Sequence, residues 1–339
     1  MVGMVKREGK RMELFPRDDA DALPSSTVVL DPVVEQLISA SAAPPSLDDL
    51  GPELGRQALQ EAQADCVEDF DVEAEFRVAP VGPSDLVGFW IFRPRGMSAP
   101  SPTLFYVHGG RWMLGDAQTH VRLVSELVKG SGTTAVVPEY SRTPEARYPV
   151  ALEECYALLS WITDQQDALG LDTGRLAVSG DCAGATLATV LTMLAKTRGG
   201  PRITAQLLYY PLVDARCDSA SQKRFATGYL LTRRALRRYW REYLHGTGGW
   251  DEPTATPLRA NLDDLTGLPP ALIITAEADI ARDEGELYAR RLREAGVRAT
   301  SVRFLGTVHD FVSLKALRDS PPSRAALQHG CEFLKAALT

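Results

Sequence analysis

Residues 175–184 read Arg175-Leu176-Ala177-Val178-Ser179-Gly180-Asp181-Cys182-Ala183-Gly184. The first half is a short, nearly continuous apolar run, which is typical of a buried parallel strand. A helix-forming segment, 183–196, follows the second half. The stretch therefore predicts a strand, a sharp turn and a helix, with Cys182 at the turn. A glycine two residues away on each side leaves room for neighbouring backbone to pass closely, as a G-x-nucleophile-x-G elbow requires.

Further apolar runs of the same kind alternate with helix-period segments and extend the prediction to a sheet. The four predicted parallel strands are 103–107, 134–137, 175–179 and 271–275. Strict alternation of apolar and polar residues in 72–78 and 86–92 predicts antiparallel edge strands. We expect an α/β fold with a mostly parallel central sheet and helices on both faces. Active residues are expected at the carboxyl ends of its strands.

The chain is expected to form one catalytic domain with a helical cap. Residues 1–70 are polar and broken, with helical patches at 31–39 and 55–64, and are predicted to be an N-terminal cap segment. Residues 71–339 are predicted to be the catalytic domain, with an arginine- and aromatic-rich cap insert at about 215–255. The basic part of that insert favours either a solvated helix face or a contact with an acidic substrate or carrier.

Composition excludes several function classes. The net charge of −7 argues against nucleic acid as a partner, since phosphate binding needs a basic face. The five cysteines are scattered without a CxxC pattern, so we expect neither a disulfide framework nor a metal site. The sequence contains no stretch of about 18 apolar residues, so no membrane span is expected. The N-terminus lacks the apolar run of a secretory signal, and a cytoplasmic location is expected.

Three further parts complete a hydrolytic site. His108-Gly109-Gly110-Arg111-Trp112 follows a predicted strand and matches a glycine loop that donates backbone N–H groups to an oxyanion. Asp279 follows the strand 271–275, and His309 follows the alternating segment 299–305. The order nucleophile, acid, histidine is that of α/β-hydrolases. Asp283 is a competing acid and Glu284 a weaker one, although both suit the start of a helix over 283–294.

Over residues 70–335 the chain resembles the hormone-sensitive-lipase-like branch (bacterial esterase family IV) of the α/β-hydrolases. The resemblance implies the α/β-hydrolase fold with an N-terminal helical cap, a Ser-His-Asp triad and carboxylester hydrolysis without a cofactor. It implies oxyanion donors at Gly109, Gly110 and Ala183, and homodimers are common in the branch. The motifs that carry it are 108–112, 139–145, 180–184, 210–214, 268–271, Asp279 with 283–285, and 309–311.

The chain departs from this branch at two positions. Cys182 stands where the branch has serine, and Arg111 stands where it has a third glycine. A thiol is more acidic than a hydroxyl, so a thiolate–imidazolium pair with His309 can exist before substrate binds, and the acyl intermediate becomes a thioester. The Arg111 side chain either borders the acyl pocket and binds a carboxylate or phosphate, or folds outward. Trp112 and Asp181 are the other expected substrate contacts.

The sequence thus favours an acyl-transfer enzyme acting on a small-molecule ester or thioester. Cys182 would carry the acyl group, with His309 as base and Asp279 as its orienter. Hydrolysis is the default outcome, and acyl transfer or cyclisation is the variant. Two alternatives stay open: a serine esterase into which cysteine was introduced by design, and a binding protein or lyase on a hydrolase scaffold.

Overall fold

A computed structural model describes residues 28–42, 46–64, 70–97 and 100–339. Its central element is a single sheet of eight strands in the order β1-β2-β4-β3-β5-β6-β7-β8. The strands are β1 (Val72–Ala79), β2 (Val87–Pro94), β3 (Ser101–Val107), β4 (Thr134–Pro138), β5 (Leu171–Asp181), β6 (Ala205–Tyr209), β7 (Ala271–Ala278) and β8 (Ala299–Val308).

The pairing of the strands confirms the predicted architecture. β1 pairs antiparallel with β2, and β2 pairs antiparallel with β4, while all other pairs are parallel. The two alternating segments therefore form the antiparallel edge, and the apolar runs form the buried parallel centre. β6 was not predicted. It lies between β5 and β7 and is buried along its whole length.

The helices cover the two faces of the sheet, as expected for an α/β fold. α3 packs against α11, and α4 packs against α6, which follows β5 directly. The helices are α1 (Pro32–Ser41), α2 (Pro52–Gln63), α3 (Val121–Ser131), α4 (Val150–Asp164), α5 (Gln166–Leu169), α6 (Cys182–Arg198), α7 (Ala220–Arg224), α8 (Arg233–Leu244), α9 (Leu262–Leu265), α10 (Arg282–Glu294) and α11 (Pro321–Leu338).

The described parts of the N-terminal segment contact the loops that lead to the strand ends. The Asp31 N–H before α1 donates to the Gly306 carbonyl at 2.8 Å. From α2, Arg56 donates to the carbonyls of Met113 at 2.8 Å and Thr143 at 2.9 Å. The segment therefore contacts the loop that follows the glycine loop, and its role as a cap stays a prediction.

The insert at 215–255 contains α7 and α8. In α8 the apolar face is buried, with Leu236 and Trp240 inaccessible to solvent, while the Arg234 side chain is exposed and pairs with Asp49 at 3.4 Å. The helix is therefore amphipathic, and its arginines do not all lie on one face.

In the part of the chain that the structure describes, every helix is too short or too polar to cross a bilayer. Four buried cysteines, Cys155, Cys182, Cys217 and Cys331, are free thiols. The fifth, Cys66, lies outside the described residues.

Candidate active site

The predicted elbow is present at the junction of β5 and α6. β5 ends at Asp181 and α6 begins at Cys182, whose φ of 51° lies in the left-handed region. A non-glycine residue in this region is strained, and such strain is concentrated at functional sites. Cys182 is fully buried and heads a helix whose first N–H groups have no partner within the helix. The helix N-terminus therefore favours negative charge beside the sulfur.

The second glycine of the elbow allows α6 to begin against the end of β3. A Cβ built on Gly184 would collide with the backbone carbonyls of Val107 and His108. Only a residue without a side chain fits here, so the elbow and the glycine loop are brought into backbone contact.

Asp279 and His309 lie together at the ends of β7 and β8. The Asp279 Oδ2 atom is 2.8 Å from His309 Nδ1, and its Oδ1 accepts the Ala281 N–H at 2.9 Å. A carboxylate can only accept, so Nδ1 carries the proton. Both side chains are 1% exposed. The carboxylate fixes the ring, leaving Nε2 to face the nucleophile.

The competing acids have other partners. Asp283 accepts the Ser221 N–H at 2.8 Å and pairs with Arg282. Glu284 accepts the Asp214 N–H at 3.0 Å and is buried. Both belong to the first turn of α10, as their helix-starting position suggested.

Cys182, His309 and Asp310 converge at the centre of the site. The Cys182 sulfur, a His309 ring nitrogen and an Asp310 carboxylate oxygen lie within 4.8 Å of one another. Within the described residues, the buried Nε2 atom of His309 has no hydrogen-bond partner, and Asp310 Oδ1 is 3.5 Å from it. This nitrogen is therefore available to exchange a proton with the sulfur.

Carboxylates on both sides of His309 favour its protonated form. Burial lowers the pKa of the imidazole, but Asp279, then Asp310 and Cys182, outweigh burial and hold the pKa well above its usual value. An imidazolium that donates to a buried carboxylate is stabilised in this geometry.

The glycine loop uses one of the predicted oxyanion donors within the fold. The Gly109 N–H already donates to Asp181 Oδ1 at 2.9 Å, so it is engaged in holding the loop to the elbow. A Cβ at Gly109 would also collide with the Asp181 carboxylate. Among the hydrogen bonds of the described residues, the N–H groups of Gly110 and Arg111 are not used. The role of the loop N–H groups as oxyanion donors stays a prediction.

The outward position considered for Arg111 is wrong, because the side chain is buried. Its guanidinium lies 3.4 Å from Asp310 and 3.9 Å from Asp48, and 5.7 Å from the centre of the Tyr239 ring. Burial opposes the charge, yet Asp48 and Asp310 raise the pKa of Arg111. Arg111 is thus a buried cation between the cap segment and the residue after His309.

Trp112 and Asp181 both contact other parts of the protein, and their role as substrate contacts stays a prediction. The Trp112 ring stacks on Tyr243 at 4.5 Å and packs against Trp240, so it joins the glycine loop to α8. The Asp181 carboxylate is buried and also accepts from the Tyr106 hydroxyl at 2.7 Å. Its oxygens hold the glycine loop against the elbow, so both residues help to position the site.

Sequence reasoning missed three residues of this centre. Asp310 was noted only as part of the motif that begins at His309, and no sequence pattern pointed to a role for Asp48 in the site. The Tyr210 ring lies 4.9 Å from the His309 ring, and its hydroxyl accepts the Ser313 N–H at 3.1 Å. Tyr210 belongs to the motif 210–214, which supported the resemblance but was given no role beside His309.

The cluster of Cys182, His309 and Asp310 has a spacing that would suit a cation. The Arg111 guanidinium already supplies a positive charge beside Asp310. We therefore assign no metal to these three residues.

Comparison with known proteins supports the fold. Residues 104–313 match the profile of the alpha/beta hydrolase fold family. The esterase LipI of Mycobacterium tuberculosis is 31% identical over 316 residues, covering 91% of this chain and 95% of the relative. The crystal structure of a thermostable esterase from Pseudomonas putida is 36% identical, with a TM-score of 0.89 and coverage of 93% of this chain and 99% of that one.

The structure of an esterase from an archaeon is similar to a comparable degree. A hyperthermophilic esterase from the archaeon Pyrobaculum calidifontis is 32% identical, with a TM-score of 0.84 over 91% of this chain and 98% of that one. The extent of these matches includes the elbow, the glycine loop and the ends of β7 and β8. The chain belongs to the alpha/beta hydrolase fold family, in its hormone-sensitive-lipase-like esterase branch.

Proposed function

We propose that the chain is a carboxylesterase-like hydrolase that cleaves a small-molecule ester or thioester through an acyl group carried on Cys182. The observation that carries the proposal is the buried Asp279–His309 contact of 2.8 Å, with His309 Nε2 unpartnered within the described residues and Cys182 heading α6 nearby. A pure binding protein would have no use for a base held in this way.

In the proposed reaction the Cys182 thiolate attacks the carbonyl carbon, and a carbon–sulfur bond forms. The tetrahedral oxyanion collapses and expels the alcohol or thiol, which takes a proton from His309 Nε2. Water then attacks the thioester while Nε2 accepts its proton, and the second collapse releases the acid and restores the thiol side chain. Asp279 keeps the ring oriented in both halves.

The oxyanion would be stabilised by backbone N–H groups from two elements. Gly110 and Arg111 supply the loop donors, and Ala183 at the start of α6 supplies the donor from the elbow. Buried donors placed before the reaction stabilise developing charge without reorganising, and the loss of one such donor costs about 10²–10³ in rate.

The charge state of His309 supports a sulfur nucleophile. A serine needs a neutral imidazole to remove its proton, whereas Asp279 and Asp310 raise the pKa of His309 and favour imidazolium. A thiol is acidic enough to pair with an imidazolium as a thiolate.

Acyl transfer is the second candidate, and burial of the site favours it. Cys182 is 0% exposed and His309 1% exposed, so the thioester would form away from bulk water. A thioester reacts readily with amines and thiols, and an acceptor held in the site would compete with water for the acyl group.

The test is to incubate the protein with a short-chain p-nitrophenyl ester and with an acyl thioester, before and after alkylation by iodoacetamide. We expect an acyl adduct on Cys182 by mass spectrometry and loss of turnover on alkylation. An added amine or thiol acceptor separates transfer from hydrolysis. Turnover that survives complete alkylation of Cys182 would rule out this nucleophile, and the absence of any acyl adduct would favour a binder or lyase.

Two variants serve as controls. Cys331→Ala removes a thiol from α11 and should keep both turnover and the adduct on Cys182. Cys182→Ser should be slower than wild type at neutral pH and gain activity as the pH rises, because His309 must first lose its proton. A serine variant that outperforms wild type at pH 7 would instead indicate a pocket built for serine.

A further inference from the structure

The two departures from the esterase branch, Cys182 and Arg111, meet in space through one carboxylate. Arg111 Nη2 is 3.4 Å from Asp310 Oδ2, and Asp310 Oδ1 is 3.5 Å from His309 Nε2. The same carboxylate group lies within 4.8 Å of the Cys182 sulfur. Asp310 therefore connects Arg111 to both members of the catalytic pair, Cys182 and His309.

Asp310 poses an electrostatic problem for a cysteine enzyme. Its charge stabilises the His309 imidazolium, but at this distance it also repels a thiolate on Cys182. Burial strengthens both effects because water does not screen them. A second acid, Asp48, lies at the same centre, 3.9 Å from the Arg111 guanidinium. Without a cation, two carboxylates would oppose ionisation of the sulfur.

Arg111 is built into the fold as that cation. The residue is 7% exposed, with Asp310 and Asp48 against different nitrogens of its guanidinium. Its φ of 58° is a left-handed conformation that an arginine adopts at a cost. An arginine that folded outward for solubility would need neither this burial nor these partners.

We propose that Arg111 is a positioning residue that acts as the counter-cation of the active site: by balancing Asp310 and Asp48, it lets the Cys182–His309 ion pair form beside a carboxylate. The inference rests on the proposed function, since only a thiolate nucleophile needs this charge. This role explains why an arginine occupies the glycine loop of a chain whose elbow carries a cysteine.

The groups around the pair come from several elements. The charged ones are Asp279 after β7, Asp310 after β8, Arg111 in the glycine loop and Asp48 in the cap segment. Two phenols, Tyr210 after β6 and Tyr239 in α8, are also close. Burial raises the pKa of Tyr239 to about 12 and that of Tyr210 well above its usual value, so both are neutral over the pH range of the test.

The test measures the rate of Cys182 alkylation by iodoacetamide as a function of pH. The thiolate displaces iodide, and a carbon–sulfur bond forms, so the rate follows ionisation of Cys182. Mass spectrometry of the Cys182 peptide separates this site from the other cysteines. We expect Arg111→Gln to move the midpoint upward by about one pH unit or more, because Asp310 and Asp48 then act on the sulfur unopposed.

Three companion variants separate charge from structure. Arg111→Lys keeps the charge and should stay close to wild type. Arg111→Gly removes the charge while relieving the positive φ, so it should show the upward shift in a folded chain, checked by circular dichroism. Arg111→Gln combined with Asp310→Asn should return the midpoint most of the way to the wild-type value.

Coincident profiles for wild type, Arg111→Gln and Arg111→Gly would overturn the inference, whatever happens to turnover. So would a shift in Arg111→Lys as large as that in Arg111→Gln, since the charge is then irrelevant. Alkylation needs no substrate. A failure of the proposed function, seen as no acyl adduct in wild type, is therefore distinguished from a failure of this inference.

Discussion

At the scale of single residues, the site depends on which of two nearby carboxylates binds the imidazole. Asp279 and Asp283 are four residues apart, and both come after the same strand. Asp279 lies before α10 and reaches His309, whereas Asp283 lies in the helix and reaches the Ser221 N–H. Their chemistry is identical, so only their position relative to the start of the helix distinguishes them.

This difference predicts opposite outcomes for a matched pair of variants. Asp279→Asn removes the charge that orients the His309 ring and stabilises its protonated form, and kcat should fall by a factor on the order of 10²–10⁴. Asp283→Asn should keep activity within a few-fold, because Asp283 does not contact the ring. Kinetics with a p-nitrophenyl ester measure both. A larger loss in Asp283→Asn than in Asp279→Asn would transfer the role to Asp283.

At the scale of elements, the strands of the sheet centre were predictable because burial on both faces makes them continuous apolar runs. The elbow was predictable because its glycines are close to the nucleophile in sequence. The hydrogen bond that engages the Gly109 N–H was not predictable. The acceptor that engages Gly109 is Asp181, which is 72 residues away and acts through a hydrogen bond that no local pattern shows.

The close contact of the elbow with β3 can be tested by adding one methyl group. Gly184→Ala would force the start of α6 away from the Val107 and His108 carbonyls. We expect a loss of about 1–3 kcal/mol in the free energy of unfolding, as for other overpacked sites, together with loss of activity. Urea denaturation measures the first, and ester hydrolysis the second.

Gly51→Ala is the control, because nothing lies within 4 Å of a Cβ at that position and its φ of −69° is ordinary. An unchanged free energy of unfolding in Gly184→Ala would mean that the loop and the elbow can separate without cost. The glycine would then have a role other than close packing.

At the scale of the whole molecule, the sequence predicted the α/β-hydrolase fold but not the ionic contacts between its distant parts. The order of nucleophile, acid and histidine follows from the topology and can be read along the chain. The pairing of Arg111 with Asp48 and Asp310 joins segments that are far apart in sequence. Sequence patterns report local periodicity, and they contain no signal for such pairs.

Glu139 also connects parts of the chain that are distant in sequence, through hydrogen bonds from Trp90 and Ala117. Its ionisation is expected to change the free energy of unfolding. The residue follows β4, and its Oε1 accepts from the Trp90 indole of β2 at 3.1 Å and from the Ala117 N–H at 3.3 Å. Burial, followed by the nearby charge of Asp116, raises the pKa of Glu139 from 4.5 to about 7. The folded chain therefore holds a proton on Glu139 at pH values where the unfolded chain has lost it.

A group whose pKa is raised by folding stabilises the protein below its unfolded pKa, and this contribution is lost as the pH rises through the folded pKa. For Glu139 the window is pH 4.5 to about 7.

Glu139→Gln keeps an oxygen acceptor but cannot ionise. Relative to wild type, it should become more stable across this window, by on the order of 2 kcal/mol, and show no further gain above it. Urea denaturation at several pH values measures the difference. Glu53→Gln, an exposed change on α2, should give a flat difference, and a flat difference for Glu139→Gln would show that folding leaves the ionisation of Glu139 unchanged.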